Sequence, residues 1–145
     1  MVKPIIIEKK DNIKEKISLL NFKDQKPVLV FDIHKTTLDK EGNVNSDIYS
    51  MIKEKKEDYN IVFLSFDGQE KRIIENDKLL NKKVIYRKIP RIFMKKREKH
   101  KVLEEIYKLY KPKKIMLYDD NKKNIKDVVS LNNKNIKAFH YKKLL

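Results

Sequence analysis

The chain has 145 residues, a formal net charge of +15, and 40% hydrophobic against 39% charged residues. That length suits one domain with one core, and two glycines with four prolines leave no linker or low-complexity stretch. The absence of cysteine excludes a disulfide framework and a thiolate metal site. No apolar run approaches the ~20 residues of a membrane helix, so an intracellular, cytoplasmic protein without membrane contact is expected.

Residues 11–20 carry Ile13, Ile17 and Leu20 at helical spacing, with Asp11 placed as the cap. Residues 1–26 therefore read as an N-terminal extension with one helix, ahead of a core over 27–145 in a single domain. Val28–Phe31 is a continuous apolar run of the kind a buried parallel strand shows, and it ends in Asp32. Residues 33–45 are polar and contain Gly42, a loop or small hairpin. Ser46 is placed to cap a helix over 47–57 with Ile48, Met51 and Ile52 inward.

A second apolar run, 61–64, ends in Ser65 and is followed by a helix over about 69–80 with Ile73, Ile74, Leu79 and Leu80 apolar. Residues 84–86 read as a short third strand, and 87–97 as a basic connection that carries Phe93. A helix over 98–110 presents Val102, Leu103, Ile106 and Leu109. The fourth strand, 115–118, ends in Asp119 and Asp120; a helix over 124–131 and a last strand over 136–139 complete the chain.

Strands alternating with helices predict βαβ units, right-handed crossovers and a mostly parallel five-stranded sheet in a three-layer α/β/α arrangement. Ligands of such sheets bind beyond the carboxyl ends of the strands. The polar residues at those ends are Asp32, Ser65, Asp119 and Asp120. One aspartate after a strand is ordinarily a turn former or a helix cap. Three brought to one edge repel one another, and a hard divalent cation with oxygen ligands, Mg²⁺, relieves that repulsion.

The +15 charge suits a polyanion, and nucleic acid is a candidate partner. Arginine stands only at 72, 87, 91 and 97, however, and the other basic residues are all lysine. With abundant isoleucine and asparagine, that composition also follows from an AT-rich coding sequence. The segment 87–97 mixes cations with aromatics in a way that suits a single-stranded end; its competing reading is a solvated connection anchored to the core by Ile92 and Phe93.

The run from Val28 to Asp39, VLVFDIHKTTLD, resembles the first motif of haloacid dehalogenase-like (HAD-like) proteins, a strand followed by D-x-D-x-T. Residues 61–65 are similar to the second motif, a strand ending in Ser or Thr. Lys99 opening a helix resembles the third, with Lys95, Lys96 and Lys101 competing for that role, and IMLYDDNKKNI over 115–125 resembles the fourth. The resemblance spans about 27–140 and implies a Rossmann-like HAD-like fold and a phosphatase. In it Asp32 is the nucleophile that forms an aspartyl-phosphate, and Ser65 and Lys99 hold the phosphoryl oxygens. Asp32, Asp119, Asp120 and the backbone carbonyl of His34 bind Mg²⁺, Asn124 supports the acidic pair, and Thr36 steadies the loop.

One departure bears on activity. His34 stands where these phosphatases usually place a second aspartate for acid–base work, a contribution of typically ~10²–10⁴-fold. Either the imidazole performs both proton transfers, or the chain is a catalytically impaired module that binds nucleic acid or protein. His100 and His140 receive no role. The intervals from Asp32 to Ser65 and from Ser65 to Lys99 leave no room for a cap domain. A large phosphorylated substrate, a nucleotide, a nucleic-acid end or a phosphoprotein, or an oligomeric neighbour, would then cover the site.

Overall fold

The computed structural model describes residues 2–23 and 25–141. Its elements are β1 (Ile5–Ile7), α1 (Ile13–Ile17), β2 (Val28–Phe31), α2 (Ser46–Lys55), β3 (Asn60–Phe66), α3 (Glu70–Leu80), β4 (Arg91–Met94), α4 (Lys99–Tyr110), β5 (Ile115–Asp119), α5 (Lys122–Val129) and β6 (Ile136–His140). Single 3₁₀ turns follow α1 and α3. The strands form one sheet in the order β1-β4-β3-β2-β5-β6, and every pairing is parallel.

Two hydrophobic clusters occupy the two faces of the sheet, because successive side chains of a strand point to opposite sides. Val28 and Val30 join Ile13 and Ile17 of α1, Val102, Leu103 and Ile106 of α4, and Val128 of α5. Leu29 and Phe31 join Ile48 and Ile52 of α2 and Ile73 and Leu80 of α3. All four residues of β2 are therefore buried, as their unbroken apolar run predicts. The chain runs from β2 to β3 and β4 through α2 and α3 on one face. It then crosses back through α4 on the other face to reach β5, on the far side of β2. That reversal opens a crevice between the carboxyl ends of β2 and β5.

The sheet has six strands, not five, and two segments differ from expectation. The N-terminal residues are not an appendage to the core, because Ile5–Ile7 pairs with residues 92–94 as the edge strand. Residues 84–86 are not a strand but part of a 3₁₀ turn, Val84–Lys88. The strand lies within the supposed basic connection, as Arg91–Met94, with all four side chains buried. Arg91 makes this workable. Its guanidinium meets the Asp77 carboxylate at 3.0 Å and Asn81 Oδ1 at 2.8 Å, and it also bonds the carbonyls of Tyr86 and Ile89. A buried charge with its donors satisfied this fully is compatible with a strand interior.

Smaller differences concern helix ends and faces. The caps are Asn12 for α1, in place of Asp11, and Asn45 for α2, in place of Ser46; each accepts a backbone N–H through its side-chain oxygen. Asp11 instead accepts from the backbone N–H of Glu8 at 2.7 Å. Met51 is only half-buried, and Ile74 and Leu109 face solvent. No helix among the described residues is long and apolar enough to cross a membrane.

Candidate active site

The register of the sheet builds the site. Phe31 of β2 lies opposite Tyr118 of β5, and the backbone N–H of Asp32 donates to the Tyr118 carbonyl at 2.9 Å, so Asp32 and Asp119 end up side by side. Oxygen atoms of Asp32, Asp119 and Asp120 all lie within 4.8 Å of one another. Asp32 and Asp119 are buried and Asp120 is half-buried. The three carboxylates line a cleft of about 450 Å³ together with His34, Ser65, Lys99 and Asn124.

Lys99, the first residue of α4, reaches into this acidic group. Its Nζ donates to Asp32 Oδ1 at 2.7 Å and to Asp119 Oδ2 at 2.9 Å, and only 2% of its side chain is exposed. The competing lysines are engaged elsewhere. Lys95 pairs with Glu8 and Glu70, Lys96 donates to the carbonyl of Asp11, and Lys101 pairs with Glu98. Burial opposes the Lys99 charge, but the carboxylates of Asp32 and Asp119 outweigh it and hold the ammonium above its usual range. Burial also raises the Asp32 carboxyl well above the ordinary value; the neighbouring Asp119 adds to the rise and Lys99 offsets part of it.

The other predicted residues gather round this centre. The Thr36 hydroxyl lies 3.4 Å from Asp32 Oδ2, and Asn124 Nδ2 donates to Asp119 Oδ2 at 3.0 Å. The backbone N–H of Asn121 donates to Asp119 Oδ1 at 2.9 Å, so that one carboxylate accepts from a lysine, an amide side chain and the backbone. Ser65 is buried at the end of β3 and lines the cleft. His34 is exposed on the rim. Partial desolvation of the ring, then the cations of Arg72 and Lys35, lower its pKa, while Asp120 and Asp67 counter in part. The imidazole is consequently uncharged around neutrality.

Sequence reasoning passed over several residues here. Thr37 donates its hydroxyl to the Asp32 carbonyl at 2.7 Å, closing the loop that follows β2. Lys35 in that loop takes a left-handed backbone conformation, φ 62°, which is uncommon for a non-glycine residue. Asp67 is buried in the cleft wall, with its carboxylate accepting from Asn76 Nδ2 at 3.1 Å and lying 3.9 Å from Arg72 Nε. A period-of-two reading would have found Asp67, because it stands two residues beyond Ser65 on a chain that stays extended: its N–H donates to the Met94 carbonyl. Arg97 lies over the Phe66 ring, 3.9 Å from its centroid, in the same cleft.

Of the two readings of 87–97, the stacking surface does not form, since Tyr86 and Phe93 are both fully buried, whereas Ile92 and Phe93 anchor the segment in the core as the competing reading has it. Of the histidines given no role, His140 meets the Asp120 carbonyl through Nε2 at 2.8 Å, and His100 lies 3.8 Å from Asp127.

Chemically, an all-oxygen carboxylate cluster fits a hard divalent cation better than a soft one. Comparison with protein-family models and a search of curated proteins find no match to this chain.

Proposed function

We propose that the chain is a capless, Mg²⁺-dependent phosphomonoesterase with a Rossmann-like, HAD-like three-layer fold and Asp32 as its nucleophile. The observation that carries this reading is the convergence of the Asp32, Asp119 and Asp120 carboxylates within 4.8 Å, with Lys99 bonded to two of them. Asp32, Asp119 and Asp120 would hold the cation, which when bound neutralises charge on the phosphoryl oxygens.

The chain's own residues then divide the work. Lys99 and Ser65 hold two phosphoryl oxygens, and a lysine already fixed between two carboxylates reorganises little as charge develops. An Asp32 carboxylate oxygen attacks phosphorus in line, the phosphorus–oxygen bond to the leaving alcohol breaks, and an aspartyl-phosphate forms. Water then attacks the phosphorus of that intermediate and frees the Asp32 carboxylate and inorganic phosphate. His34, uncharged near neutrality, accepts the proton of that water and returns it to the next leaving oxygen. Asn124 and the Asn121 N–H keep Asp119 in place, and Thr36 and Thr37 fix the loop that carries His34.

The test is hydrolysis of p-nitrophenyl phosphate with Mg²⁺, with EDTA, and by Asp32→Asn. Turnover that requires both the metal and Asp32 is expected. A flat trace throughout would refute the enzyme and favour the second reading, a non-catalytic binding module. The observation favouring that module is an exposed imidazole at 34 in place of an acid.

A further inference from the structure

Four arginines stand among 36 basic residues, and their placement is selective. Arg91 is the buried partner of Asp77, and Arg87 donates to the Asn81 carbonyl. The other two, Arg72 and Arg97, both line the cleft that holds the three carboxylates. Of the four cations that line this cleft, Lys35, Arg72, Arg97 and Lys99, two are arginine in a chain otherwise rich in lysine, and each supplies a planar, forked donor that an ammonium does not.

Each of these arginines has a seat, and the two seats are consecutive residues. Beyond Ser65, Phe66 seats Arg97, whose guanidinium Cζ lies over the ring 3.9 Å from its centroid. No carboxylate pairs with Arg97 among the described residues. Asp67, buried and steadied by Asn76, lies 3.9 Å from Arg72 Nε, a contact on one edge of the fork that leaves its terminal nitrogens. Ser65, Phe66 and Asp67 thus serve in turn the reacting phosphoryl group, one arginine and the next. Lys35 lines the same cleft.

We infer that Arg72 and Arg97 form a second phosphate subsite beside the reacting centre, and that the substrate is a phosphomonoester whose remainder carries a further phosphate, free or in a phosphodiester. This rests on the phosphomonoesterase reading for the assignment of the first phosphate. Bidentate guanidinium–phosphate contacts are short, charge-assisted and geometrically specific. Arg72 follows β3 and Arg97 follows β4, the two strands that lie on the side of β2 away from β5 and its Asp119–Asp120 end in the strand order.

The experiment measures binding, so it does not depend on turnover. Asp32→Asn protein with Mg²⁺ is titrated calorimetrically with adenosine 5′-monophosphate, adenosine 3′,5′-bisphosphate and a 5′-phosphorylated dinucleotide. The second phosphate is expected to tighten binding by roughly tenfold or more. Arg97→Gln and Arg72→Gln should each erase most of that gain while weakening the monophosphate far less. Lys71→Gln, an exposed position on α3 with the same change of charge, should leave the gain in place.

If all three variants weaken every ligand alike, or the second phosphate adds nothing, the subsite is refuted. A dinucleotide preferred over the bisphosphate identifies a nucleic-acid end as the source; the reverse identifies a free nucleotide. An arginine-dependent bisphosphate preference in a native protein that hydrolyses no ester would uphold the subsite and sink the catalytic reading. Hydrolysis of all three ligands with no such preference would do the opposite.

Discussion

Replacing Lys99 by methionine, similar in length but uncharged, tests the electrostatic argument for the site directly. The ammonium is buried between Asp32 at 2.7 Å and Asp119 at 2.9 Å. Without it, three carboxylates within 4.8 Å lose their bonded cation. Opposite unit charges 4 Å apart attract by about 4 kcal/mol at an effective dielectric of about 20. Lys99 makes two closer contacts than that, and the variant recovers the cost of desolvating an ammonium. Breaking a buried pair from one side typically costs about 3–5 kcal/mol. Taking about 4 kcal/mol, and roughly 2–4 °C per kcal/mol for a chain near this size, metal-free Lys99→Met should melt roughly 8–16 °C below the native protein.

Mg²⁺ replaces the missing charge, so it should raise the Tm of the variant more than that of the native protein. The stabilisation would be about 2.7 kcal/mol at a metal concentration of 100 times Kd. Thermal unfolding in EDTA and in Mg²⁺ reads both quantities. A metal-free variant within about 2 °C of native, or equal Mg²⁺ shifts in the two proteins, would refute the claim that Lys99 compensates a metal-binding acidic cluster.

Asp77→Ala leaves the fully buried Arg91 guanidinium without its counter-charge and should cost about 3 kcal/mol, read from urea midpoints at constant m-value. The buried Tyr86 hydroxyl has no hydrogen-bond partner among the described residues, so Tyr86→Phe should stabilise the fold by about 1 kcal/mol. Burial, with Tyr49 beside it, pushes that phenol far above its ordinary value of 10.0. The unfolded phenol ionises first as pH rises, so native stability should fall above pH 10 by a component that Tyr86→Phe lacks, measured as the difference in unfolding free energy between pH 9 and 11. On the proposed phosphatase reading, His34→Asp puts a carboxylate at the acid–base position and should change p-nitrophenyl phosphate turnover by at least about tenfold. A rise identifies an impaired native site, a fall identifies a working imidazole, and an unchanged rate would exclude His34 from proton transfer.

How much of this could be read in advance depended on whether a residue's environment was local. β2, β3 and β5 announce themselves because strands covered on both faces need unbroken apolar runs, and the polar residue closing each run must lie at the sheet edge. Asp32, Ser65, Asp119 and Asp120 were legible for that reason, as were the bodies of α2 to α4, from their apolar residues at helical spacing. β4 was not, because Arg91 looks like a surface charge until Asp77 and Asn81, on and just past α3, are folded over it. Nor was β1, a three-residue edge strand whose identity lies in its pairing with residues 92–94.

The same division runs through the site. The chain's one-dimensional order was enough to place carboxylates at the ends of particular strands. Only the three-dimensional arrangement selected Lys99 from four neighbouring lysines, set Arg97 on Phe66 and set Arg72 beside Asp67. The physical reason is that backbone periodicity and burial are encoded by neighbours in sequence, whereas the partner of a charge is whichever group the crossovers bring within a few ångströms of it.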